Sequence, residues 1–267
     1  MSLSPSAQSQ SQAPSQRAPT KKRKRADHDA ELLPLLQGPS VKVVVGTGDE
    51  TKSWTLPVAL LTHHSEYLRV TLCDNIKRET QTTNKLTLAE RPASIFAIFV
   101  QWLYTDTIPK RFDLSRLSTG NAVSNSFQLW TLSDYLQAEE FKTRIMSELY
   151  ASYSLNRYLD GFDFMELSAA EVDYCWTSTN EGAKLRVSLL DILSHHITFG
   201  DYICVEAENE WHKTFIKHAD LQMQLLARIA ASNNTFSFDV AVIPALDKYL
   251  EAAETNVAEK VDEATKL

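Results

Sequence analysis

The stretch PASIFAIFVQWLYT, residues 92–105, decides the fold of this chain. Its large apolar residues recur at the three- and four-residue spacing of one helical face, and its first residue, Pro92, belongs to the turn that precedes the helix. The face comprises Ile95, Ile98, Phe99, Trp102 and Leu103. The sequence therefore predicts a helix that buries this aromatic face in the core.

Short strands and helices precede this helix. Residues 41–46 are rich in β-branched side chains, a turn-forming segment follows, and residues 52–56 resume an extended pattern, which predicts a β-hairpin. Pro57 is placed to open a helix, and Ser65 is placed to cap the start of a second one. Residues 85–88 alternate between polar and apolar side chains and predict a third strand.

After residue 114 the pattern indicates helices rather than strands. The predicted helices span 121–137, 139–150, 165–176 and 182–197, with further helical pattern over 201–231 and an Ala- and Glu-rich helix over 239–262. The last helix has a narrow apolar stripe of Leu246, Leu250, Ala253 and Val257. This stripe predicts packing against the body or, alternatively, a weak coiled-coil contact between chains. The predicted fold class is α+β, with a small sheet capped by helices and an all-helical C-terminal extension.

The N-terminal segment, residues 1–30, is predicted to be a disordered tail. Most of residues 1–20 are Ser, Gln or Pro, and the segment has one large aliphatic residue, Leu3, so it cannot offset the entropy of ordering. A basic cluster follows: Lys21, Lys22, Arg23, Lys24 and Arg25. Five consecutive cations in an accessible tail resemble a nuclear-import signal, and a solvated charge run is the alternative.

Charge is distributed unevenly between the tail and the body. The chain carries 27 Lys and Arg against 34 Asp and Glu, and residues 1–26 hold six of the basic residues and none of the acidic ones. The body therefore keeps 21 basic and 34 acidic residues, a formal charge of −13. An acidic body argues against a specific nucleic-acid surface, because phosphates are held mainly by clustered Lys and Arg. The chain has no apolar run long enough for a membrane span.

Sequence motifs for catalysis, metal binding or cofactor binding are lacking. The pair Gly46 and Gly48 follows a strand, but Thr51 takes the place of a third glycine, so a hairpin turn is the better interpretation than a dinucleotide loop. The histidine pairs 63–64 and 195–196 diverge on a helix and cannot chelate one metal on a single face. The three cysteines lie far apart, which fits a reducing compartment. No catalytic residue, cofactor or metal is predicted.

Two stretches, 41–68 and 86–105, resemble the BTB/POZ domain, particularly its fungal form. The residues that carry the resemblance are Val43, Val45, Trp54, Leu60, Leu61, Ser65, Tyr67, Leu86, Leu88, Phe99, Trp102, Leu103 and Tyr104. The resemblance implies a domain over 38–150, followed by a helical extension over 151–267. It also implies a non-enzymatic protein-interaction scaffold that forms homo- or hetero-oligomers, and the basic cluster adds an import receptor and a nuclear or shuttling location.

Two alternatives accompany this interpretation. Some BTB/POZ proteins bind a cullin scaffold of a ubiquitin ligase through a hydrophobic-x-Glu motif, but the corresponding place here reads Lys77-Arg78-Glu79, with Ile76 one residue early. An enzyme with a site assembled from dispersed residues is the second alternative. The apolar segment Leu32–Leu36 is predicted to pack either within the chain or across a dimer.

Overall fold

A computed structural model describes residues 25–77, 85–108, 123–153, 167–199, 209–233 and 245–250. Ten α-helices and three strands are assigned in these ranges and are numbered here in chain order. The strands are β1 (Ser40–Val45), β2 (Lys52–Pro57) and β3 (Lys85–Leu88). The helices are α1 (Arg25–Leu35), α2 (Val58–His64), α3 (Glu66–Lys77), α4 (Ala93–Thr105), α5 (Asn125–Tyr135), α6 (Glu139–Tyr153), α7 (Ala169–Ser178), α8 (Lys184–Phe199), α9 (Glu210–Lys217) and α10 (Ala219–Asn233).

The three strands form one sheet in the order β2-β1-β3. Strand β1 pairs antiparallel with β2, as predicted for the hairpin, and parallel with β3. Val43 lies opposite Trp54 on one side and Leu86 on the other. Because side chains alternate along a strand, Val41, Val43 and Val45 all point into the core.

Gly46 directly follows β1 and has a backbone conformation that residues with a side chain rarely adopt. Its φ of 91° lies in the left-handed region, and a Cβ at this position would stand 3.1 Å from the carbonyl oxygen of Glu50. The amide of Gly46 donates to the carbonyl of Leu88 at 3.1 Å, which extends the pairing of β1 with β3. The glycine therefore serves the hairpin turn, as the sequence indicates.

Helix α4 is the centre of the core. All five residues of its predicted face are buried, and Phe96 joins them. The Phe96 ring lies 5.2 Å from the ring of Trp54 on β2, so the helix packs directly on the sheet. The rings of Phe99 and Trp102 lie 5.2 and 4.8 Å from Phe141 of α6, which joins the helix to the helical half of the protein.

The later helices follow the predicted pattern with shifted ends. Helices α5 to α8 match the four predicted helices, and the predicted helical segment 201–231 is two helices in its described part, with the break at His218. Helix α6 runs to Tyr153, past the domain boundary predicted at 150. Buried residues of α7 to α10 belong to the same core cluster as the sheet. The predicted α+β class, a small capped sheet followed by helices, is confirmed.

Two predictions need correction. Helix α1 begins at Arg25, inside the range 1–30 that composition predicts to be a disordered tail. The predicted helix over 239–262 is wrong in its described part, where Leu246–Tyr249 form a short 3-10 turn instead. Pro244 lacks the amide that a helix interior needs, and the side chain of Tyr249 binds Asp191 on α8, 2.9 Å away. This contact between residues that are distant in sequence therefore overrides the local helical pattern.

Candidate protein-interaction surface

The residues that carry the family resemblance are mostly core residues. Ten of them are buried: Val43, Val45, Leu60, Leu61, Ser65, Leu86, Leu88, Phe99, Trp102 and Leu103. Trp54 and Tyr67 are half-buried, and Tyr104 is exposed. These residues therefore build the scaffold, and an interaction surface has to be sought among other side chains.

Ser65 shows how the scaffold is held together. Its hydroxyl accepts a hydrogen bond from the amide of Leu68 at 3.1 Å, which caps α3 as predicted. The same hydroxyl donates to the carbonyl of Leu136 at 2.5 Å, in the turn between α5 and α6. One buried hydroxyl therefore joins two helical hairpins that are distant in sequence.

Helix α1 binds the body through one of its sides. Leu32 and Leu35 are partly buried and pack against the core. Together with His63 and His64 of α2 and Trp102 of α4, they line a small cavity of about 20 Å³. The side of the predicted apolar segment that carries Leu32 and Leu35 therefore packs within the chain.

The other side of α1 faces outward. Leu33 is 64% exposed and Leu36, one turn further on, is 38% exposed. Residues three apart on a helical turn are neighbours, and the amide of Leu36 donates to the carbonyl of Leu33 at 3.3 Å, which continues the helical turn. We call Leu33 and Leu36 the α1 apolar surface. Leu32 and Leu35 hold the opposite side of the segment against the core, and the α1 apolar surface has no cover in the described part of the chain.

The sheet offers a second candidate surface. Within the described ranges, β2 and β3 each pair only with β1, so each has one unpaired side. An unpaired strand edge can accept another strand through main-chain hydrogen bonds. The edge strand β2 is exposed at Lys52, Ser53 and Thr55.

An aromatic cluster lies where α3, α5 and the turn before α4 meet. The hydroxyl of Tyr135 donates to that of Tyr67 at 3.0 Å, and the guanidinium of Arg91 lies 4.2 Å from the centre of the Tyr135 ring. Burial and the hydrogen bond to Tyr67 raise the pKa of Tyr135 from its ordinary value of 10 to about 12. Sequence reasoning missed this cluster because its members come from three separate elements.

Two polar networks hold the helical extension, and neither was visible in the sequence. Asp173 of α7 pairs with Lys217 and with His218, whose Nε2 lies 2.7 Å from its carboxylate. Asp191 of α8 is 9% exposed and receives the side chains of Arg228, Lys248 and Tyr249. Each network joins residues at least 37 positions apart in sequence.

Several predicted features lie outside the described residues. Lys21, Lys22, Arg23 and Lys24 precede them, while Arg25 is the first residue of α1. The Arg78-Glu79 part of the cullin-motif position also lies outside, as do Ala253 and Val257. In the described ranges, no group of His, Cys, Asp and Glu has the geometry of a metal site, and no helix is both long and apolar enough to cross a membrane.

Solved structures that are similar to this chain include two BTB domains. The BTB domain of zebrafish PATZ1 is 17% identical, covers 50% of this chain and all of its own length, and aligns with a TM-score of 0.34. The BTB domain of human gigaxonin is 12% identical, covers 51% of this chain and 98% of its own, and aligns with a TM-score of 0.32. No model of a known protein family matches the sequence, and no curated protein matches it.

Proposed function

We propose that this protein is a non-enzymatic interaction scaffold of the BTB/POZ kind that self-associates and acts in the nucleus. The α1 apolar surface carries the proposal, because Leu33 of α1 and Leu36, which directly follows it, face outward while the opposite side of the helix packs on the core. Because the backbone that carries the two leucines is already folded onto the core, binding through them needs no further ordering of that backbone. Its partner is another protein, and a second copy supplies a matching surface.

The energetics of the α1 apolar surface favour a two-fold contact. Burial of a fully exposed leucine side chain stabilises by roughly 1.5–3 kcal/mol, and Leu33 and Leu36 have 64% and 38% of their surface left to bury. In a two-fold interface each leucine is buried twice, once in each copy, so the effect of two leucines is doubled. Even after discounting the cost of association, removal of both leucines should weaken the pairing by more than tenfold.

Sedimentation velocity on the full chain tests self-association through α1. The variant is Leu33→Ser/Leu36→Ser, and the matched control is Ile216→Ser/Met223→Ser, which removes two apolar side chains from α9 and α10 that are at least as exposed as the two leucines. We expect the α1 variant to shift toward the monomer with at least a tenfold weaker dimer, while the control stays as the parent. Equal self-association of the two variants would overturn the role of α1.

Nuclear delivery is the second part of the proposal. It is supported by the five consecutive cations Lys21 to Arg25 and by the acidic body, whose charge cannot itself attract an acidic receptor groove. Replacement of the five cations with alanine in a fluorescent fusion should leave the protein in the cytoplasm. A matched control replaces five polar residues of the segment 6–12 with alanine. Unchanged nuclear accumulation of the first variant would refute the signal.

A further inference from the structure

The C-terminal described segment, Leu246–Leu250, is bound to the body as a ligand would be. The Tyr249 side chain is 1% exposed, its hydroxyl donates to Asp191 at 2.9 Å, and its ring lies 5.9 Å from that of Tyr150 on α6. The ammonium of Lys248 binds the same Asp191 oxygen at 2.8 Å. Leu246 and Leu250, on either side, pack against the core. The segment is therefore recognised through a tyrosine, a lysine and two leucines.

The receiving site is built from three helices. Asp191 comes from α8, Arg228 from α10 and Tyr150 from α6, and Lys184 at the start of α8 donates to the carbonyl of Lys248 at 3.3 Å. Lys184 and Asp191 are two helical turns apart, about 10 Å along the axis. Lys184 and Asp191 therefore contact the segment at two separate points. We call this arrangement the Asp191 site.

The carboxylate of Asp191 keeps a cationic partner when the segment leaves. Asp191 is paired with Arg228, which belongs to the body, so departure of Lys248 and Tyr249 does not leave a buried carboxylate alone. A buried charge left without any partner would oppose release strongly. Release of the segment is therefore not opposed by an unpaired buried carboxylate.

We infer that the Asp191 site is a peptide-binding site and that in the self-associated protein it takes the segment Leu246–Leu250 of a second copy. This inference rests on the self-association proposed above. Within a dimer, binding of the partner's segment becomes an intramolecular event, whose effective concentration is set by the length of the connecting chain. Residues 234–244, which connect α10 to the segment, can span at most about 40 Å when fully extended. Such a length is compatible with exchange of an identical element between copies.

Binding of a labelled peptide tests the site separately from dimer formation. The probe is a fluorescent peptide of residues 244–252, PALDKYLEA, and the host is the full chain with Tyr249→Ala, whose own segment no longer competes. We expect the peptide to bind this host at least tenfold more tightly than it binds the parent chain. Adding Asp191→Asn to the host should weaken binding at least tenfold, because both hydrogen-bonded groups of the peptide use that carboxylate.

The control peptide carries alanine in place of Tyr249 and should not bind. Circular dichroism checks that each host is folded. Absence of binding to a folded Tyr249→Ala chain would overturn the site, whereas a strictly monomeric parent that still binds the peptide would overturn the proposed self-association and leave the site standing.

Exchange between copies is tested by cross-linking a mixture of ¹⁵N-labelled and unlabelled parent chains with an amine-reactive reagent. Lys184 and Lys248 are neighbours in the site, so their cross-link reports which copy supplied the segment. We expect peptides that combine one labelled and one unlabelled lysine, at a fraction that rises with protein concentration. If dimers form and every Lys184–Lys248 link joins lysines of the same isotope, exchange is wrong.

Discussion

Ser65→Ala should destabilise the protein more than the loss of one surface hydroxyl would. Ser65 is 1% exposed, caps α3 through the Leu68 amide and donates to the Leu136 carbonyl. Loss of a helix cap costs about 1 kcal/mol. A buried carbonyl left without its donor costs roughly 1–3 kcal/mol more. The lower part of that range applies, because the Tyr67 amide also donates to the Leu136 carbonyl, at 3.4 Å.

The expected loss in the free energy of unfolding is therefore about 2–3 kcal/mol, which corresponds to a drop in Tm of roughly 5–10 °C. Urea unfolding followed by tryptophan fluorescence measures it, since the chain contains five tryptophans. The matched control is Ser94→Ala, at an exposed position of α4, which should stay within about 0.5 kcal/mol of the parent. A Ser65→Ala variant as stable as this control would refute the argument that Ser65 joins the two helical hairpins.

Three further predictions concern single residues. Gly46→Ala should lower the free energy of unfolding by about 1–3 kcal/mol, because φ is positive and the new Cβ meets Glu50; an unchanged urea midpoint would contradict this. Cys175 should escape iodoacetamide at pH 8 in the native chain and react after unfolding, because burial raises its pKa to about 12; peptide mapping would reveal native labelling. Burial alone would raise the pKa of Asp173, but hydrogen bonds from Lys217 and His218 lower it overall. Its stabilising effect is therefore full above about pH 4 and declines as the pH falls, so Asp173→Asn should cost up to about 1 kcal/mol at pH 7. Urea titrations should show this difference narrowing toward pH 3, and a difference that widens on acidification would contradict the prediction.

The first half of the fold is predictable because the sequence patterns that specify its helices and strands are local. The face of α4 repeats every three to four residues, β1 is a β-branched run beside a turn, and Ser65 stands where a helix begins. Each of these patterns fits within a few turns or one strand. They lead to the correct elements because local preference and tertiary packing agree there.

The interaction surface and the polar networks were harder to predict. In the segment 32–36 nearly every residue is apolar, so periodicity cannot show that Leu32 and Leu35 face inward while Leu33 and Leu36 face outward. Asp191 and Tyr249 look like ordinary helix residues until the fold brings them together over 58 positions. The predicted terminal helix is wrong in its described part for the same reason, since the Asp191 contact decides the local conformation.

The most direct test of the interaction-scaffold account is the molar mass of the purified full chain, measured by light scattering over a concentration series from about one to several hundred micromolar. The account predicts a mass that rises toward twice that of a single chain, and a rise that Leu33→Ser/Leu36→Ser moves to at least tenfold higher concentration. A mass that stays at that of one chain over the whole series would contradict it.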